Sequence, residues 1–145
     1  YSSAASDVYK RQGTDGAASN NCLDMFREMF LVTALQKYRE MDAAAFPAFD
    51  VLKMACSGGA LAMGLKDCDV LAAGKKADLA VIDLMQPNMQ PLHNIAKNLV
   101  YAGTKQNVVM TMVDGKILYE NGKFSTVDAG EIYARAEKLT REICG

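Results

Sequence analysis

The 145 residues predict an α/β chain in two unlike stretches, helical first and then a small β unit closed by a terminal helix. Three observations carry this. Apolar residues recur at three-to-four spacing from Cys22 through Met25, Phe26, Met29 and Phe30, the stripe of an amphipathic helix. Two apolar runs meet at Asp114-Gly115, the strongest short hairpin pattern in the chain. Asp128-x-x-Glu131 then precedes Ile132, Ala136, Leu139 and Ile143, which share one face of a closing helix.

The elements follow in order. Gly13-Thr14-Asp15-Gly16-Ala17-Ala18-Ser19-Asn20-Asn21 reads as a turn of small residues, with Asn20 or Asn21 capping the first helix and Asp24 in its first turn. That helix runs toward Met41. Pro47 suits the first turn of a second helix carrying Phe49, Leu52, Met54 and Ala55. Ser57 is placed to cap a short third helix through Ala60, Leu61 and Met63, stopped by Gly64. The Gly58-Gly59 pair blurs the junction.

Beyond Lys66 the pattern changes. Val70-Leu71 is a candidate short strand, Gly74-Lys75-Lys76 a solvated turn, and 77–83 a buried strand. Residues 84–106 hold Pro87 and Pro91 and read as irregular, with a helical turn near Ile95 to Tyr101. Val108 to Val113 and Lys116 to Tyr119 form the hairpin arms, and Asn121-Gly122 marks the next turn. Short strands alone are marginal in water, so neither stretch is an autonomous core by this reading.

Composition narrows the function classes. Half of the residues are apolar and the formal net charge is −1, with mean hydropathy −0.02, which fits one modest globular domain or parts of two. Without a basic excess, nucleic-acid binding has no electrostatic support. No apolar run reaches the length needed to span a bilayer, and no secretory signal is visible. Cys22, Cys56, Cys68 and Cys144 form no Cys-x-x-Cys pair, so they read as soft packing residues in a reducing compartment, the cytoplasm.

Residues 2–12 are what one frame of a common transposase sequencing adapter translates to, without a mismatch. Residues 1–12 are therefore read as an adapter-derived tail, and the natural sequence as starting near Gly13. Taken by residue type alone, Asp15 is a turn or helix-capping carboxylate, because aspartate is common in turns.

Three segments together resemble the C-terminal end of the amidohydrolase superfamily, in order and over residues 13–145. Gly13-Thr14-Asp15 is similar to the last strand end of that family's (β/α)8 barrel. Gly74-Lys75-Lys76-Ala77-Asp78-Leu79-Ala80-Val81-Ile82-Asp83 is similar to its G-K-x-A-D-L segment in the accessory composite β-sandwich. Val113-Asp114-Gly115-Lys116 is similar to its closing hairpin. Within the superfamily, the run from Ala17 to Met25 and the run from Gln86 to His93 look most like 5-methylthioadenosine/S-adenosylhomocysteine deaminases, with chlorohydrolase-type and guanine deaminases as alternatives. Asp69 departs from the glycine that the family often carries before the short strand.

The resemblance implies a C-terminal fragment: an end of the barrel over 13–66, and a β-sandwich portion with a terminal helix over 67–145. It implies that Asp15 is catalytic, contacts substrate and contacts a divalent metal, usually zinc, whose histidine ligands belong to earlier strands. The reaction implied is hydrolytic removal of ammonia from an adenine-type nucleoside. The fragment itself is expected to be inactive, and homo-oligomerisation of the parent is left open. Ser19, Asn20 and Asn21 are read as caps ahead of substrate contacts. His93 is read as structural or interfacial, because one histidine builds no zinc site. Asp78 is read as a turn hydrogen-bonder. The rival from another class is a complete, non-enzymatic α+β binding or structural module, which requires residues 1–12 to be native. A truncated barrel, by contrast, is expected to expose Met25, Phe26, Met29 and Phe30.

Overall fold

A computed structural model describes residues 12–145. The adapter-like segment, apart from Gln12, lies outside the described residues. Helix α1 spans Met25–Glu40. Its N-cap is Asp24, whose carboxylate accepts from the Phe26 N–H at 3.0 Å, so the cap falls later than Asn20 or Asn21. Asn20 instead closes its own small turn, accepting from the Cys22 N–H and donating to Glu28 at 2.6 Å. Asparagine side chains compete for backbone groups in both ways, and spacing alone does not separate a cap from such a turn. Met41 ends the helix in the left-handed region (φ 51°), its N–H returning to Lys37 and Tyr38 carbonyls.

Pro47 precedes α2 (Ala48–Lys53), where its missing N–H costs nothing. The helix does not break at Ser57. A π turn, Met54–Gly58, carries it into α3 (Gly59–Ala62), with right-handed helical backbone at both junctions. No hydroxyl cap forms at this junction. Gly64 (φ +77°) stops α3, as its position predicts, and the Leu65 N–H bonds the Ala60 carbonyl at 2.9 Å.

Val70-Leu71 is not a strand. Val70 lies in a bend and Leu71 is irregular, in a loop that closes on itself through the Lys76 N–H and the Asp67 carbonyl at 2.8 Å. The sheet is β1 (Leu79–Ile82), β2 (Val108–Val113), β3 (Lys116–Glu120) and β4 (Lys123–Phe124), antiparallel throughout in that order. Asp114 and Gly115 both have positive φ (50° and 76°), the geometry that turns a two-residue hairpin with the sheet's own twist. Asn121 and Gly122 repeat it before β4. Between β1 and β2 lies α4 (Ile95–Tyr101), capped by Asn94, which accepts from the Lys97 N–H at 3.0 Å. Helix α5 (Ala129–Cys144) starts at Asp128, whose carboxylate accepts from the Glu131 N–H.

The core sits between α1, α2 and α4. Met29, Ala48, Val51 and Val100 are buried together, flanked by Phe26, Val32, Phe46, Leu52 and Ala55. Met29 is therefore interior, and Met25 and Phe26 are half-buried. Of the four residues expected to be exposed, only Phe30 is. The reason is α4, which arrives from the later stretch and covers the stripe. Gly103 marks how close this packing is, because a Cβ there would stand 2.5 Å from the Leu99 carbonyl oxygen and 2.6 Å from Phe26. Lys37 completes the seam by donating to the Tyr101 hydroxyl at 2.5 Å, its ammonium 4.5 Å from the ring centroid.

Helix α5 is the exception to this packing. Every residue after Ala129 is exposed, including Ile132, Leu139 and Ile143. No helix among the described residues is long and apolar enough to cross a membrane.

Candidate functional site

Asp15 stands on an exposed loop ahead of α1, with its backbone in the left-handed region (φ 58°). Aspartate tolerates this region better than most side chains because its short polar arm bonds locally. Its Oδ1 accepts from the Gly16 N–H at 2.7 Å, and the Thr14 hydroxyl donates to its carbonyl at 3.1 Å. The Ser19 and Asn20 N–H groups close the following turn on the Gly16 carbonyl. The second carboxylate oxygen of Asp15 has no hydrogen-bond partner among the described residues and faces solvent.

The far end of this loop is tied down. Asp24 caps α1 with Oδ1 and takes the Lys105 N–H with Oδ2, while the Lys105 ammonium donates to the Cys22 carbonyl at 3.0 Å. Loop position thus depends on a residue 81 positions beyond Asp24. Sequence reading placed Asp24 in the first turn and missed this role, because Lys105 shows its partner only in three dimensions.

A carboxylate oxygen is a suitable donor for a hard or borderline cation such as zinc. One carboxylate is not a site, however, and no three His, Cys, Asp or Glu side chains gather among the described residues. His93 is exposed between Pro91 and the α4 cap, in the linker where sequence reading placed it. Ser19 and Asn21 are exposed on the Asp15 loop and cap no helix.

A second polar cluster joins the 66–78 loop to the tip of the β2–β3 hairpin. Asp78 accepts the Asp114 N–H at 2.6 Å, and the Gly115 N–H bonds the Ala77 carbonyl at 3.1 Å. This bears out the reading of Asp78 as a turn hydrogen-bonder. Lys75 does not behave as a merely solvated turn residue: its ammonium is bound to Asp69 and to the Lys66 carbonyl. Lys76 lies 4.0 Å from Asp67 and 3.8 Å from Asp114. Carboxylates beside the Cys68 thiol push it up to about 12, chiefly through the hydrogen bond to Asp78, so this cysteine is a donor and not a nucleophile. The same thiol, then the Asp114 N–H, hold Asp78 below the ordinary carboxylate value, and Lys75 does so for Asp69.

These shifts have a definite sign. Both folded-state values are depressed, so the stabilisation is present above the ordinary value near 3.8 and is lost as pH falls through the depressed values. The urea midpoint is expected to fall from pH 5 downward and to keep falling below pH 3.8. It should fall less steeply in an Asp69→Asn/Asp78→Asn variant. Parallel acid profiles for the two proteins would remove the assignment.

Comparison with known proteins places the chain in context. The Amidohydrolase family matches residues 4–118. The chain is 47% identical over 129 residues to the 5-methylthioadenosine/S-adenosylhomocysteine deaminase of Nitratidesulfovibrio vulgaris, covering 89% of this chain and 29% of that protein. To the deaminase of the same description from Desulfovibrio desulfuricans it is 52% identical over 116 residues, covering 80% and 26%. Among solved structures, a zinc-bound adenosine deaminase from Xanthomonas campestris superposes with TM-score 0.87 at 36% identity, covering 92% of this chain and 30% of that one. The zinc-complexed atrazine chlorohydrolase of Arthrobacter aurescens gives TM-score 0.71 at 26% identity, covering 86% and 28%. The chain thus spans less than a third of the length of these relatives.

Proposed function

The chain belongs to the amidohydrolase family, and from that premise we propose that it is part of a longer metal-dependent deaminase of adenine-type nucleosides, the 5-methylthioadenosine/S-adenosylhomocysteine class. The observation that carries the reading is the 44–52% identity to three such deaminases across four-fifths or more of the chain. In this reading residues 13–66 complete the end of a (β/α)8 barrel, and residues 67–145 contribute to the accessory β-sandwich. Residues 1–12 are an adapter-derived tail. The four unpaired cysteines support a reducing, cytoplasmic setting.

Asp15 is the residue assigned to chemistry. Barrel active sites lie at the C-terminal strand ends, and a free carboxylate oxygen on such a loop faces the reaction. Zinc held beside it would supply acidification of water, from a pKa of roughly 16 toward about 7. Asp15 takes a proton from the attacking water and delivers it to the departing amine, a base that becomes an acid within one turnover. The Gly16 N–H bond on Oδ1 orients the carboxylate and leaves the other oxygen for this transfer.

Two proteins test the reading. A full-length protein containing this sequence is expected to convert 5-methylthioadenosine or S-adenosylhomocysteine with release of ammonia and loss of adenine-ring absorbance. The 145-residue chain alone is expected to show neither turnover nor stoichiometric zinc, since its described residues gather no ligand set. Halide release from a chlorotriazine by the full-length protein, with no deamination, would move the assignment toward the atrazine chlorohydrolase type, a neighbour at 26% identity. Zinc-dependent turnover by the 145-residue chain would overturn it.

A further inference from the structure

Lys105 opens a short 3-10 turn, Lys105–Asn107, just ahead of β2, and both of its donor groups reach across to the Asp15 loop. Its N–H donates to the second carboxylate oxygen of Asp24 at 3.4 Å, and its ammonium donates to the Cys22 carbonyl at 3.0 Å. The anchor is rigid. The Asn107 N–H bonds the Thr104 carbonyl, the Thr104 N–H bonds the Asn107 side chain, and Asn107 is fully buried.

From Cys22 a continuous chain of hydrogen bonds runs back to Asp15. The Cys22 N–H donates to the Asn20 side-chain oxygen at 3.1 Å, and the Asn20 N–H donates to the Gly16 carbonyl at 2.9 Å. The Gly16 N–H in turn donates to Asp15 Oδ1 at 2.7 Å. Gly16, Ala17, Ala18 and Ser19 carry little side chain to pack, so hydrogen bonds set the path of this loop. Asn20 also donates to Glu28, and Arg27 is bound to the Cys22 thiol. Those two contacts fix the loop to its own helix, whereas Lys105 fixes it to the linker between β1 and β2.

We infer that Lys105 is a positioning residue for Asp15: its ammonium holds the loop where the carboxylate meets the attacking water and the departing amine. This rests on the deaminase reading above and deepens it, by making the linker between β1 and β2 a working part of the site. Misplacing a reacting group by about 1 Å costs as much as 100-fold in rate, so the loss of one tether is measurable.

Lys105→Met in the full-length protein keeps the stem and the backbone N–H and removes only the ammonium. Amide hydrogen exchange across residues 16–22 is expected to quicken about fivefold to tenfold, with exchange around Val100 unchanged. Turnover is expected to fall about tenfold in kcat with KM little moved. Lys105→Arg should restore both, because a guanidinium also donates to a carbonyl. In an Asp15→Asn background Lys105→Met should cost nothing further, since the group being positioned is gone. Unchanged loop exchange in Lys105→Met overturns the inference, whatever the activity. So does a loosened loop with unaltered kcat, or a tenfold loss that persists in the Asp15→Asn background. A wild-type protein that releases no ammonia overturns the deaminase reading and this inference with it, while loop exchange shows separately whether the tie exists.

Discussion

Asp15→Asn in the full-length protein is expected to lower kcat about 100- to 10,000-fold while moving KM little, the range associated with loss of a positioned proton carrier. The substitution is conservative in every respect but one. Asparagine also tolerates the left-handed backbone at φ 58°, and its carbonyl can still accept from the Gly16 N–H. What disappears is a carboxylate oxygen that can take up a proton and give it back. Zinc content measured beside the kinetics separates loss of the ion from loss of proton transfer: a variant that keeps its metal and loses turnover places Asp15 in the chemistry. Asp15→Glu is not expected to rescue, because one added methylene carries the carboxylate past a loop fixed by Thr14 and Gly16. Turnover near the wild-type level in Asp15→Asn would remove Asp15 from the mechanism and reduce it to a turn residue.

The second large effect is on stability. Asn107 is fully buried, just ahead of β2, and its side chain joins three segments. Its oxygen accepts from the Thr104 N–H at 3.0 Å and the Thr104 hydroxyl at 3.1 Å. Its amide nitrogen donates to the Asp83 carbonyl and to the Gln86 and Asn88 side chains. Leucine has nearly the same volume and none of these groups, so Asn107→Leu leaves several buried donors and acceptors unpaired. Each costs about 1–3 kcal/mol, and some regain partial solvation, so a loss of about 3 kcal/mol is expected in urea denaturation. Asn107→Asp should fall between the two, since it keeps the acceptor and loses the donors. A loss under about 1 kcal/mol for Asn107→Leu would show that the network is not holding the linker between β1 and β2. Met89, also fully buried, lies in that linker, and Asn98 ties its carbonyl with a bond of 2.8 Å.

Both residues show what sequence reading reaches. The turn at Asp15 is legible because aspartate is common in such turns, whereas the chemistry proposed for it comes from the resemblance that the downstream motifs carry. Asn107 was not singled out at all. An asparagine after Gln106 reads as loop, and nothing nearby reveals that Asp83, Gln86 and Asn88 converge on it. The same limit explains Lys75, taken for a solvated turn residue, whose partner Asp69 was noticed only as a departure from glycine.

Local chemistry came out of the sequence alone. Asp114-Gly115 and Asn121-Gly122 can relax into positive φ where bulkier side chains clash, so the hairpin and its return follow from composition. Asp128, Gly64 and the stripe of α5 are equally local, since a cap and a helical face are settled within one or two turns of chain. The family is local in this sense too, being carried by short motifs in order. Tertiary structure decided the rest. It moved the α1 cap to Asp24, where Lys105 shares the carboxylate, and ran the helix through Ser57 by way of a π turn. It buried Met29 by bringing α4 back across α1 and α2. Apolar spacing says which face of a helix must be covered, but the covering element is chosen by the free energy of the whole packed chain. For α1 that element lies within this sequence; for α5 no covering element lies among the described residues.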